Sequence, residues 1–209
     1  MATVSTKLAD AVVLSLGGSL TGRAIVTNCH KVVCQMMADR GLTVLQRAGT
    51  ELELMAAIDA GKPTVRAASD PDDDPHTLVF FDAERTGIGK VRSLRERYGG
   101  CRILIVNVDG PTAFTKRDVA KDFDVEFWFI SEVLFNRTRH ELVPRHRRLS
   151  TEEAARVARQ RCILDHQWPM MLASDMQARW MLFRPGDVVE MARRGLAHES
   201  GLYYRKVVA

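Results

Sequence analysis

The chain has 209 residues, with 30 Lys+Arg against 26 Asp+Glu, a formal net charge of +4 and a pI of about 9.0. At 46% hydrophobic and 27% charged, its composition excludes a disordered chain, a collagen and a disulfide-stapled miniprotein. No stretch approaches the roughly 18 consecutive apolar residues of a membrane-spanning helix, so no membrane partner is expected.

At the N-terminus, Lys7 precedes an apolar run from Ala11 to Leu16 that Asp10 and Gly17-Gly18 bracket. The run is shorter than a secretory core, and residues 1–20 are expected to be a flexible lead-in. Arg23 to Arg40 predicts a helix, with Ile25, Val32, Val33, Met36 and Met37 on one stripe. A short strand at Leu42–Gln46 and a helix at Glu51–Ala60 follow, the latter closed by Gly61-Lys62-Pro63. Ser69 to Pro75, with four aspartates and two prolines, predicts a solvated loop. It is not a calcium loop, because Pro75 and Phe81 stand where that motif needs Gly and a carboxylate.

Beyond it, apolar bursts at Thr77–Phe81, Cys101–Val108 and Val125–Ile130 alternate with amphipathic runs at Gly89–Tyr98 and Thr112–Phe123, the pattern of an α/β layer. The character changes at His140. His140–His146 reads as extended, Ser150 and Glu153 form a capping box for a helix to about Arg161, and Val188–Arg193 and Leu202–Val208 read as strands. The expected fold is therefore α/β (α+β), an N-terminal α/β domain over 21–139 followed by a small mixed α+β domain over 140–209. From His140 onward there are 12 basic and 8 acidic residues, against 18 and 18 before it, so the whole positive excess falls on the last 70 residues. That excess suits an acidic protein partner or nearby nucleic acid, but falls short of a self-sufficient DNA binder.

Candidate chemistry fails residue by residue. Cys29, Cys34, Cys101 and Cys162 match no zinc or disulfide spacing and suit a reducing compartment. The six histidines show no ligand spacing, and no acidic residue precedes a lysine at the one-residue gap of a metal-dependent nuclease. Ser19 lacks the second glycine of a nucleophile elbow, and Gly87-Ile88-Gly89-Lys90 lacks the first glycine and the Ser/Thr of a phosphate loop. No catalytic residue, metal or cofactor is expected.

The C-terminal residues are recognisable as a set: His140-Glu141-Leu142-Val143-Pro144 with His146, the Ser150/Glu153 cap, Gln167-Trp168-Pro169, Ser174-Asp175, Ala178-Arg179-Trp180, Arg184-x-Gly186-x-Val188-Val189, Arg193, and Tyr204-Arg205-x-Val207. In order and spacing they resemble the assembly module of the fifth subunit shared by eukaryotic DNA-directed RNA polymerases I, II and III, which is similar to a small subunit of the archaeal RNA polymerase. More loosely, Lys31–Gly41, Val79-Phe80-Phe81 with Gly87-Ile88, and Ile103–Val106 resemble that family's jaw domain, with its nuclease-like layer.

The resemblance implies a noncatalytic nuclear polymerase subunit, a monomer within a hetero-oligomer. Its C-terminal domain would dock on the largest subunit, and its jaw would border downstream double-stranded DNA, bound weakly and without sequence preference. Trp168, Pro169, Asp175, Arg179, Trp180, Arg193, Tyr204 and Arg205 are then the candidate interface residues, with Tyr203 as a further anchor. The large rings could equally fill the domain's own core. Lys116, Arg117 and Lys121, after the strand-end turn Asp109-Gly110-Pro111-Thr112, are the candidates for DNA proximity; alternatively, Asp118 and Asp122 make this a balanced, solvated helix face.

The sequence departs from the family pattern at Trp168-Pro169-Met170-Met171, at Asp175-Met176 and at Arg193–Ala197. Such drift admits a divergent paralogue dedicated to polymerase I. Two other classes compete: a nuclease-like α/β enzyme using Asp82 or Asp109, and a polymerase-recruiting adaptor.

Overall fold

Helix α1 (Val4–Leu16) stands where a flexible lead-in was expected. Its cause is a stripe that the length of the apolar run conceals: Leu8 and Val12, one turn apart, are fully buried together with Ala9, while Asp10 points to solvent. The computed structural model describes residues 3–16, 21–70, 76–119, 124–194 and 200–209, with side chains at 194 and 200 left aside. They divide into two compact units, Met1–Phe135 and Asn136–Ala209, a boundary slightly ahead of Arg139. Among the described residues no helix is long and apolar enough to cross a membrane.

In the first unit α1 packs on α2 (Gly22–Asp39) and α3 (Glu51–Asp59). The N-terminal amides of α1 are satisfied from outside: the Ser5 amide and hydroxyl donate to the Asp59 carboxylate at 2.7 and 2.9 Å. Desolvation alone would raise the Asp59 carboxyl, but these bonds, with others from Thr3 and Val4, outweigh it and hold the group below its ordinary 3.8. A depressed carboxyl stabilises the folded state above its unfolded value and loses that contribution as pH falls through the folded one. Amide exchange in α1 is therefore expected to accelerate as pH drops below the usual carboxylate range. Asp59→Asn should speed exchange at neutral pH, by about 1 kcal/mol of lost capping, and flatten this dependence.

The sheet order is β1 (Thr43–Arg47), β2 (Val65–Ala68), β3 (Thr77–Asp82), β4 (Arg102–Asn107), β5 (Val125–Phe129). The first three strands are antiparallel neighbours, and β3, β4 and β5 run parallel, joined through α4 (Ile88–Arg97) and α5 (Ala113–Val119). Leu78, Phe80, Ile103, Ile105 and Val125 meet Val91, Leu94 and Val119 from these helices. On the opposite face the Phe81 ring lies 6.3 Å from that of His30 on α2. Cover on both faces is why all six β3 residues are buried and the strand reads as continuously apolar.

The second unit orders its sheet β6 (His146–Arg148), β8 (Val188–Arg194), β9 (Ser200–Val208), β7 (Met170–Leu172), with β7 parallel to β9 and the other pairs antiparallel. Ser150 and Glu153 cap α6 (Thr151–Gln160) reciprocally, as their spacing predicts. The segment expected to be extended over 140–146 instead turns at its start, where the Val143 amide bonds the His140 carbonyl at 2.9 Å. Alternation splits the sheet into two faces. One buries Val188 with Leu149, Val157 and Trp168 beneath α6; the other buries Val189, Val207 and Met171 with Ala178 of α7 (Met176–Trp180) and Phe183.

Cys162, just past α6, has φ 52, a left-handed conformation that costs a Cβ-bearing residue about 1–2 kcal/mol. Part of this is offset by the greater unfolded-state freedom of glycine. Cys162→Gly is expected to stabilise the chain by about 0.5–1 kcal/mol, read as a rise in melting temperature.

Candidate docking face and nucleic-acid edge

The strand register of the second unit distributes the interface candidates between two faces. On one, His146, Met191 and Tyr203 form a row across β6, β8 and β9, with Arg148, Val189 and Arg205 in the row on one side of it and Arg193 paired with Gly201 on the other. The Arg193 guanidinium lies 5.7 Å over the Tyr203 ring, which is 53% exposed. Asp175, exposed, caps α7 by accepting from the Gln177 amide at 2.8 Å. It acts on the same His146 imidazole as Arg205 and Arg193. Burial is the main cause that holds His146 below its ordinary value; the two arginines push the same way, while Asp175 and the Pro144 carbonyl, 2.7 Å from Nδ1, oppose them.

The other candidates lie elsewhere. Trp168, 6% exposed, packs edge-on to Tyr204 with ring centroids 6.3 Å apart on the α6 face. Burial, then the charge and hydrogen bond of Glu190, raise the Tyr204 phenol, and Arg161 sits 4.9 Å over its ring. Trp180 is 0% exposed, so it stabilises the unit from within and its ring does not reach the surface. Arg179 is half-buried on α7, and Pro169 is exposed, its carbonyl accepting from the Lys206 amide at 2.8 Å. The sequence reads His146 as a surface or hydrogen-bonding histidine; it bonds the Pro144 carbonyl, and its pairing with Met191, which only strand register supplies, places it in the same row as Tyr203.

In the first unit, the loop after β4 is braced by Thr86. Its amide donates to the Gly110 carbonyl at 3.2 Å, its carbonyl accepts from the Thr112 amide at 3.0 Å, and its hydroxyl accepts from Asn107 Nδ2 at 3.0 Å. Gly110 has φ 71, and a Cβ there would fall 2.6 Å from the Phe129 ring, so only glycine fits. The brace presents Lys116 and Arg117 on the exposed side of α5, near Phe114, which is 57% exposed. Lys121 lies outside the described residues. Of the two carboxylates of the enzyme alternative, Asp82 is held by Lys90 at 2.7 Å and Asp109 is exposed. Among the described residues no three His, Cys, Asp or Glu gather as a metal site. Burial pushes the Cys29 thiol up to about 12, far from a reactive thiolate.

The family model "RNA polymerase Rpb5, C-terminal domain" matches residues 135–207, nearly the span of the second unit. The chain is 29% identical over 197 residues to "DNA-directed RNA polymerases I, II, and III subunit RPABC1" of Caenorhabditis briggsae, covering 86% of this chain and 93% of the relative. The corresponding Caenorhabditis elegans protein gives the same figures. It is 43% identical over 70 residues to "DNA-directed RNA polymerase subunit Rpo5" of Aeropyrum pernix, covering 34% of this chain and 78% of the relative. The RPABC1 names refer to polymerases I, II and III together and give no support to a copy dedicated to polymerase I.

Proposed function

Because the chain belongs to the Rpb5 family of RNA polymerase subunits, we propose that it holds the family's place in a nuclear DNA-directed RNA polymerase, docked on the largest subunit through residues 136–209. As a member of that family it is a structural, noncatalytic component of a multisubunit polymerase. The observation that carries the docking assignment is the near-coincidence of the family match, residues 135–207, with a unit that has its own sheet, two cores and an arginine-bearing face.

The first unit acts as the jaw beside downstream double-stranded DNA. Similarity to the RPABC1 relatives over 86% of the chain supports this, since it extends well beyond the second unit. Lys116 and Arg117, on the braced loop-and-helix edge, supply sequence-independent phosphate contacts, with Lys121 as the third cation of that set. A polymerase preparation containing the chain, bound to duplex carrying photoreactive groups at successive downstream positions, tests both roles. Labelling is expected on peptides around residues 110–117, and its absence there would remove the DNA-proximal role. Labelling concentrated on residues 136–209 would reverse the assignment of the two units.

A further inference from the structure

We propose that the sheet face bearing Arg193, Tyr203 and Arg205 receives an extended acidic protein segment, with two carboxylates about four residues apart that engage Arg193 and Arg205. This rests on the polymerase-subunit reading above and names the chemistry of the partner at that site.

The face is only partly covered within the chain. Helix α7 and Phe183 close one end, over Val189, Val207 and Met171, and Tyr203, in the row beyond them, is 53% exposed. Met191, in the middle of that row, is only 3% exposed. Arg148, on the same face, is neutralised by Asp187 at 3.0 Å. Arg193 and Arg205 make no ion pair among the described residues: the first lies over Tyr203, and the second acts on His146 through its charge alone.

Their spacing defines the ligand. Arg193 pairs with Gly201 and Arg205 with Val189, so the two lie four residues apart along the strand direction on adjacent strands. At about 3.3 Å per residue, this is roughly 13 Å, the reach of an extended segment from one residue to the fourth beyond it. A planar guanidinium fork matches a carboxylate bidentately, and an exposed tyrosine offers a rigid apolar contact between the two charged ends.

Nucleic acid fits the face less well. From His140 onward the sequence has one lysine, Lys206, and that side chain belongs to the other face, bound to Asp165 at 2.6 and 2.7 Å.

The test uses the full-length chain, tagged, in cells that assemble the polymerase. Arg193→Lys and Arg205→Lys each introduce an amine that a water-soluble carbodiimide couples to a carboxylate in contact with it. Coupling from both positions to Asp or Glu of one polymerase segment, about four residues apart, is the expected result. Absence of coupling from either position overturns the proposal, and because these variants keep the charge, it does not depend on a reversal variant folding. The reversal variant Arg193→Glu/Arg205→Glu is expected to recover polymerase at least about tenfold less than wild type at moderate salt, with an unchanged melting temperature and with Arg92→Glu in the first unit as control.

Undiminished recovery would overturn the proposal, and if binding of a duplex DNA probe fell instead, the face would be a nucleic-acid surface. Wild-type chain that recovers no polymerase subunit would overturn the polymerase reading itself, an outcome separate from these.

Discussion

Valine in place of Gly22 is expected to drive α1 off the N-terminal unit and to cost about 3–6 kcal/mol. A Cβ built at Gly22 would collide with the Ala9 carbonyl oxygen and lie 2.7 Å from the Ala9 Cα, so two helix backbones are in direct contact there and neither can yield by a rotamer change. Separating them exposes Leu8 and Val12, both 0% exposed in the native state, and each buried side chain of that size contributes about 1.5–3 kcal/mol. Denaturant unfolding followed with amide exchange measures both parts. Faster exchange confined to α1, with the sheet still protected, is the expected pattern, and unchanged protection of Leu8 and Val12 would contradict this packing.

Breaking the ion pair between Arg40 and Glu126 is expected to have a similar effect through electrostatics. The guanidinium donates to both carboxylate oxygens, at 3.1 and 2.8 Å, with side chains 1% and 15% exposed, and Trp128 Nε1 donates to the same carboxylate at 3.3 Å. Arg40→Met leaves a carboxylate largely withdrawn from water without its counter-charge, at a cost of about 3–5 kcal/mol. Adding Glu126→Gln removes the stranded charge and should restore most of that loss. If the two single changes were simply additive in the double variant, the pair would not be coupled as its geometry requires.

What the sequence disclosed depended on the length of each element and on where its partners lay. Strands β3 and β4 were visible as apolar runs because helices cover both faces. Helix α6 was visible because its capping box is local, four residues from Ser150 to Glu153. Strands β2 and β7 and helix α7, of four, three and five residues, are too short for a period to emerge. Helix α1 was obscured because its apolar run ended at two glycines and suggested a linker; its buried stripe follows a helical period that begins earlier, at Ser5.

The candidate site divides in the same way. The residue types of the candidate face stand out in the sequence on chemical grounds: Arg193, Tyr203 and Arg205. Their sharing one face, while Trp168 and Tyr204 occupy the other, follows from pairing Met191 with Tyr203 and His146, contacts between segments 12 and 45 residues apart. No local pattern encodes that register. Both tryptophans of the second unit are buried in it, Trp180 at 0% and Trp168 at 6% exposure.

A core structural role is tested most directly by the company this chain keeps. A tagged full-length chain, recovered from nuclear extract and washed at high salt, should bring down a complete polymerase with one copy per largest subunit by quantitative mass spectrometry, and the identity of that largest subunit names the enzyme. Recovery without polymerase subunits, or far below one copy per enzyme, would contradict that role and leave a recruiting adaptor in its place.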